Sequence, residues 1–443
     1  MRPRRGATRQ RRARRRGRAI SPEVQPTFVR VEALLRACSP GLRTWLVLNL
    51  ALCTLAMLQL WRGARSGHGA LTLAAVSRAL PLEEREKVRS KRLARLLGNK
   101  HLGGSALTPL LVRLALGRRP RGPVPIVLDQ TTLRGTPTLL AGVRVAGRIL
   151  PVAFACFEYK TLRKSQNALE WALLFLVTAS LPPGCTPLFV LDRGYARARL
   201  LAQCRQAGIP FLVRGRRNTM VRFPGQRLAL GRVPYRQGVA IRYPHVLYQD
   251  TIREAVDLII FHDPTFKEPW FLLVPPGSSR QWPTARVVAL YRQRMHIELT
   301  FRDWKTHLGV RGLRLEVDIA PRLERLLLAL TVAYTLAVLL GAGPAARRVR
   351  ADCEILRTTP RHGTRRRLSA LSVGILLLSL TRFAALAART LTRLLAALAR
   401  GTPAATLAVC PPKAPTLAVV HARRGVRGRV SSHTRGAPRP LHH

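Results

Sequence analysis

The chain is short of acid. Its 443 residues carry 21 Asp+Glu against 76 Lys+Arg, a formal net charge of +55, and almost all the cations are Arg. Such an imbalance calls for a polyanionic partner, either nucleic acid or an anionic membrane surface. A GC-rich coding bias accounts for Arg over Lys, but not for the shortage of acids. Each carboxylate at the end of a strand is therefore more informative. Clustered cysteine is also missing. Cys38, Cys53, Cys156, Cys185, Cys204, Cys353 and Cys410 stand singly, with no C-x-x-C. This excludes a zinc finger and fits a reducing, cytoplasmic compartment. The 11 His are dispersed as well. No G-x-x-x-x-G-K-[ST] loop is present, so no nucleotide cofactor is expected. No internal repeat is found.

What is present is 47% hydrophobic, enough to bury a core, over a length that fits two or three domains. Residues 1–20 form an Arg-rich arm, too polar for a secretory signal. It reads as a disordered DNA-contacting arm, although a transit peptide or an over-long start is compatible with it. Residues 21–120 read as a helical module with a cationic surface, plausible for DNA. Within it, RTWLVLNLALCTLAMLQLWR is a strongly apolar helix and LEEREKVRSKRLARLLGNKHL a basic one.

At Pro123 the character changes. VPIVLD reads as a buried strand ending in Asp129, and TLLAGVRVAGRILPVAFACFEYK alternates like two paired strands. SQNALEWALLFLVTASLP is a helix. TPLFVLDRGYA is a second buried strand, ending in Asp192, and it is followed by helix, Gly-Ile-Pro turn and a strand with a basic cluster. The order gives a mixed α/β sheet. An Asp at the carboxyl end of a buried strand is where α/β folds place their sites, although a single one is usually a turn former or cap.

A third carboxylate lies downstream in Y-x2-R-x3-E-x6-K: Tyr291, Arg294, Glu298 and Lys305. On a continuous helix these offsets put all four on a stripe roughly 60° wide. Glu298 can then hold a divalent cation while Arg294 and Lys305 meet phosphate oxygens. The plainer alternative is an ion-paired, solvated helix face. Three hard ligands, Asp129, Asp192 and Glu298, can hold two Mg2+ ions (Mn2+ substituting) for phosphodiester displacement. A cation cannot ligate a metal, so Arg294→Ala and Lys305→Ala are expected to leave the metal requirement unchanged.

VLDQTT, VLDRGYARARLL and the Y-R-E-K signature resemble the DDE transposases of bacterial insertion sequences, in particular insertion-sequence family four, over about residues 71–340. The resemblance implies a ribonuclease-H-like catalytic domain over 121–345, flanked by helices and preceded by the N-terminal helical module. It also implies a β-rich insertion at about 216–276, before the helix of the catalytic Glu. Asp129, Asp192 and Glu298 would be the metal ligands. Tyr291, Arg294 and Lys305 would contact the transposon-end backbone, and Arg193, which with Gly194 follows the second Asp as the pattern expects, would also bind DNA. The insertion would supply an aromatic that stacks on a displaced base, with Trp270 as candidate and Trp282 in competition. The implied partner is double-stranded DNA, terminal repeats and target, bound by a homodimer and released as a 3′-OH end that attacks the target.

Residues 326–343 are uncharged and long enough to meet the transmembrane threshold, but read as a buried core helix. Residues 346–400 form a further apolar helical region suited to dimerisation, and 401–443 a disordered basic tail. Two other readings remain open: a catalytically silent or domesticated DNA-binding derivative, and a basic membrane-associated protein.

Overall fold

The computed structural model describes residues 20–63, 71–118, 121–160, 162, 165–223, 225–316, 319–354, 368–408 and 418–421. Most of the Arg-rich arm and most of the basic tail lie outside the described residues. Two compact units divide the chain: Met1–Val190 with Gln293–Lys413, and Leu191–Arg292 with Ala414–His443.

The first unit begins with helices. α1 (Gln25–Cys38) starts at a proline, whose missing N–H costs nothing in a first turn. α2 (Thr44–Gly63) is apolar all round and mostly buried. α3 (Leu73–Ala79) is capped by the Thr72 hydroxyl, which accepts from the Ala75 N–H. α4 (Glu86–Leu97) buries Leu93, Leu96 and Leu97 at helical spacing and leaves its cations outside. α5 (Gly104–Leu116) completes the set.

The sheet of this unit then forms from β1 (Gly122–Leu133), β2 (Thr136–Val145) and β3 (Arg148–Cys156). Two-residue turns join them: Arg134-Gly135 and Ala146-Gly147, each with positive φ at both positions. Such turns match the natural twist of a hairpin, and Gly in second place makes them cheap. β1 was expected to stop at Asp129. It continues through Gln130, Thr131 and Thr132, because these extended and partly β-branched residues pair with β2 as far as Leu133↔Thr136. Asp129, paired with Leu140, therefore sits within the strand. α6 (Gln166–Ser180), capped by Ser165, leads to β4 (Cys185–Leu191), whose last residue opens the second unit. The strand order is β3-β2-β1-β4.

The second unit contains α7 (Ala198–Gln206), β5 (Phe211–Arg214), β6 (Met220–Phe223), β7 (Gln226–Ala229), β8 (Val239–Tyr248), β9 (Glu254–Phe261), β10 (Trp270–Val274) and α8 (Thr284–Arg294) as far as Arg292, the last two residues of α8 belonging to the first unit. Its strands run in the order β5-β10-β9-β8-β6-β7. Arg242 of β8 is buried against Asp257 of β9 at 3.1 Å and also donates to the Trp282 carbonyl.

Back in the first unit, α9 (His296–Arg302) is followed by a π-turn over Asp303–His307 and by α10 (Ile319–Ala342), α11 (Ala346–Cys353), α12 (Ala370–Ser379) and α13 (Ala384–Ala399). α10 and α12 cross with their backbones in contact. A Cβ on Gly341 would lie 1.8 Å from the Ala370 oxygen, and one on Gly374 would lie 1.9 Å from that of Ala337. By length and composition α2 and α10 are each able to cross a membrane, yet 89% of the apolar window of α10 is buried in the protein. β11 (Ala418–His421), in the second unit, pairs in parallel with β8. The whole is a mixed α/β, ribonuclease-H-like protein, with helices at its N-terminus and a strand-rich stretch ahead of the helix that bears Glu298.

Candidate functional site

In the first unit one guanidinium gathers two of the carboxylates. Arg294 donates from Nη1 to Asp129 Oδ2 at 2.8 Å, and its Nη2 lies 3.8 Å from Glu298 Oε1. Its side chain is 6% exposed, that of Asp129 19% and that of Glu298 61%. Asp129 Oδ1 also accepts from the backbone N–H of Gln130. β1 supplies Asp129, and the first turns of α9 supply Glu298. Beside them lies a polar chain: Gln166 donates to Gln130 and to the buried Glu170, and Tyr159 donates to Gln166. The guanidinium offsets the repulsion between two carboxylates that would otherwise face each other. A divalent cation on Asp129 and Glu298 would take the place Arg294 holds, and carboxylate oxygens suit such an ion. Among the described residues, no group of three or more His, Cys, Asp or Glu side chains is placed to hold a metal.

The expected single helical stripe is replaced by an interrupted run. The helix turns at Met295, where the His296 ring meets the Gln293 carbonyl at 2.9 Å, and then widens into the π-turn that contains Lys305. Each π residue rotates less than an α residue, so Lys305 leaves the angle expected from α-helical spacing. A buried network accounts for the widening. Asp303 accepts from Arg148 Nε and from the Tyr334 hydroxyl, and Thr300 bridges the backbone of Ile149 in both directions, its hydroxyl donating to the carbonyl and accepting from the N–H. Arg148, Asp303, Thr300 and Tyr334 are all buried. Lys305 is half-buried, and burial, followed by Arg311, pushes its ammonium below the ordinary 10.5. The His296 imidazole is held below its ordinary 6.5 chiefly by burial.

In the second unit Asp192 follows the end of β4 and accepts from the Tyr291 hydroxyl at 3.3 Å. Tyr291 is buried, with its ring edge-on to Trp270 at 5.1 Å. Trp270 is itself 4% exposed and packs on Phe261 and Phe266. Trp282 is buried too. Arg193 and Gly194 line a cavity of about 770 Å³ with Asp192, Arg214, Arg217 and Arg232. The basic cluster on β5 announced part of this cavity in the sequence. The Arg148–Asp303–Tyr334 network had no such signal, because its members are far apart in the chain and none belongs to a motif.

Residues 164–336 match the family described as the transposase DDE domain. The matched stretch contains Asp192, Arg193, Trp270, Tyr291, Arg294, Glu298 and Lys305, while Asp129 precedes it. This match supports a DDE transposase. No curated protein matches the sequence.

Proposed function

We propose that the chain is an insertion-sequence DDE transposase of the Y-R-E-K type. On this reading it binds terminal inverted repeats in the cytoplasm, as a homodimer on DNA, and cuts and rejoins phosphodiester bonds. The observation that carries the reading is the cluster of Asp129 on β1, Arg294 at the end of α8 and Glu298 on α9, with two of its members inside the matched DDE segment. Asp129, Asp192 and Glu298 are the proposed ligands. Bound Mg2+ or Mn2+, two ions per site, would activate an attacking oxygen and stabilise the leaving one. The protein's own part is to hold and align. Tyr291 fixes the Asp192 carboxylate through its hydroxyl, and Arg294 keeps Asp129 and Glu298 from repelling each other. Lys305, on the π-turn, supplies a cation for the scissile strand. No nucleotide hydrolysis is needed, because the transferred phosphodiester keeps its energy.

The test is a cleavage assay on duplexes carrying the DNA that flanks the coding sequence. The wild type is expected to release 3′-OH ends in Mg2+ and to be silent in EDTA. Asp129→Asn, Asp192→Asn and Glu298→Gln are expected to bind the same duplexes but not to cut them. Wild-type cutting by any one variant removes that residue from the ligand set. A second reading, a DNA-binding derivative without catalysis, draws on the ion pair that engages Asp129, and wild-type binding without any cleavage would favour it.

A further inference from the structure

We propose that the buried Arg242–Asp257 pair is a positioning device for Asp192: it fixes where α8 begins, and so where the Tyr291 hydroxyl meets the Asp192 carboxylate. The inference rests on the reading above in taking Asp192 as a metal ligand, and otherwise on the geometry of the second unit alone.

α8 is held down by a stripe that has no direction of its own. Thr284, Val287, Val288 and Tyr291 recur at helical spacing, and each is 1% exposed or less. Apolar burial is non-directional, so the stripe does not fix the helix along its own axis. Hydrogen bonds near its two ends do. At the far end the Tyr291 hydroxyl donates to Asp192 Oδ1 at 3.3 Å. At the near end Arg242 donates from Nη1 to the carbonyl of Trp282 at 2.7 Å, just ahead of Thr284, and from Nη2 to Ser278 Oγ at 3.1 Å. Trp282 is coupled to the helix in turn, since the Arg286 guanidinium lies over its ring at 5.2 Å. A further tie, Arg292 to Asp263 at 2.7 Å, has its arginine 37% exposed, and exposed pairs hold weakly.

Asp257 keeps the Arg242 fork in place. Its Oδ2 accepts from Arg242 Nε at 3.1 Å, and its Oδ1 accepts from the backbone N–H groups of His245 at 3.2 Å and Gly277 at 3.4 Å. His245 stands at the irregularity of β8 with φ +55, and Gly277 lies on the loop that runs to α8. One carboxylate thus joins strand, loop and guanidinium. The two side chains are 2% and 3% exposed. Taking two charges out of water is costly, and apolar side chains of similar volume generally fold as stably. Stability is therefore a poor account of the pair, whereas a planar fork with three directed bonds is a good account of a fixed loop.

The test removes the pair without stranding a charge. Arg242→Met with Asp257→Asn deletes the fork, while the Asn oxygen still serves the His245 and Gly277 N–H groups. The full chain carries 3-fluorotyrosine at its seven tyrosines, and Tyr291→Phe assigns the 291 signal. Without DNA or metal, that fluorine signal is expected to shift or broaden in the pair variant, at a melting temperature close to wild type. In the cleavage assay the same variant should lose about 100-fold, the usual scale for a misplaced aligning group. Added to Tyr291→Phe it should cost no more than about 2-fold further, because its effect passes through the hydroxyl already lost. An unmoved 291 signal in the folded pair variant, or an equal loss of cutting with and without the Tyr291 hydroxyl, would overturn the proposal. Should the pair variant not fold, Arg242→Lys keeps a cation on Asp257, drops the fork, and is read by the same two outcomes. A wild type that cuts nothing refutes the transposase reading and leaves the fluorine signal to decide this one.

Discussion

Removing the guanidinium of Arg294 should tighten the hold of Asp129 and Glu298 on a divalent cation. From the sequence alone no change is expected, since a cation is no ligand and its loss should leave the metal requirement unchanged. The geometry reverses this, because Arg294 Nη1 sits on Asp129 Oδ2 at 2.8 Å, where a metal would bind. A hydrogen bond to a charged group contributes about 1.5–3 kcal/mol. The 3.8 Å contact with the exposed Glu298 adds roughly 0–1 kcal/mol. A cation that must displace the first of these binds weaker by about that amount, so Arg294→Ala should tighten binding roughly 10- to 100-fold at about 1.4 kcal/mol per decade. The repulsion left between the two carboxylates acts in the same direction. The assay is titration with Mn2+, followed by the spin-resonance signal of the free ion, on full chain without DNA. Arg294→Lys, which retains a charge but loses the fork, should fall between wild type and Arg294→Gln. Unchanged or weaker binding in both Arg294→Ala and Arg294→Gln, with an unchanged melting temperature, would refute the competition and the cation site with it.

Three other outcomes are expected. Asp303→Leu strands Arg148, 8% exposed, without its partner and should cost about 3–5 kcal/mol in denaturant unfolding. Arg148→Met in the same chain should restore most of it, and a cost below about 1 kcal/mol for the single change would show that the pair does not hold α9 to β3. His296 is charged less readily in the folded state than its ordinary 6.5, because burial, helped by Arg144 and Arg148, outweighs the Gln293 carbonyl. Its contribution is complete above that pH and is lost as pH falls through the lowered folded value, so His296→Asn should flatten the fall in stability as pH drops below about 6.5. Trp270→Ala should cost the second unit about 3–5 kcal/mol as a core truncation, with Trp270→Phe far milder and both binding DNA as before. A Trp270→Ala chain that melts normally but no longer binds DNA would restore the stacking role.

Much of the fold was written in local periodicity. The alternating runs after Pro123 became β1–β3, and VAIRYPHVLY corresponds to β8 residue for residue. The apolar 326–343 stretch, but for its last residue, lies inside a buried helix, since an all-round apolar surface needs cover on all sides. The limits of the reading have a common cause. β1 outran its expected end because its register with β2 is a tertiary matter, set by the turn at Arg134-Gly135. The spacing argument assumes one rotation per residue, which holds between Arg294 and Glu298 but not through the π-turn that carries Lys305. Arg148 and Tyr334, 155 and 31 residues away from Asp303, set the local winding. Arg294 was assigned to phosphate because its type allows that. Its place on Asp129 depends on how β1 meets the junction of α8 and α9, which no local pattern encodes.

The glycine crossing of α10 and α12 sets a timetable for synthesis. α10 ends at Ala342 and α12 at Ser379, so 37 further residues must be made before the crossing can close. At about 5–20 residues per second that interval is roughly 2–7 s. During it a helix whose residues 326–342 carry no charge waits with one face uncovered, and by length and composition it is able to cross a membrane. A side chain at Gly341 or Gly374 would prolong that wait indefinitely. The expected phenotype of Gly374→Val is therefore a newborn chain retained by chaperones or misrouted to the membrane, even though the substituted position carries no chemistry.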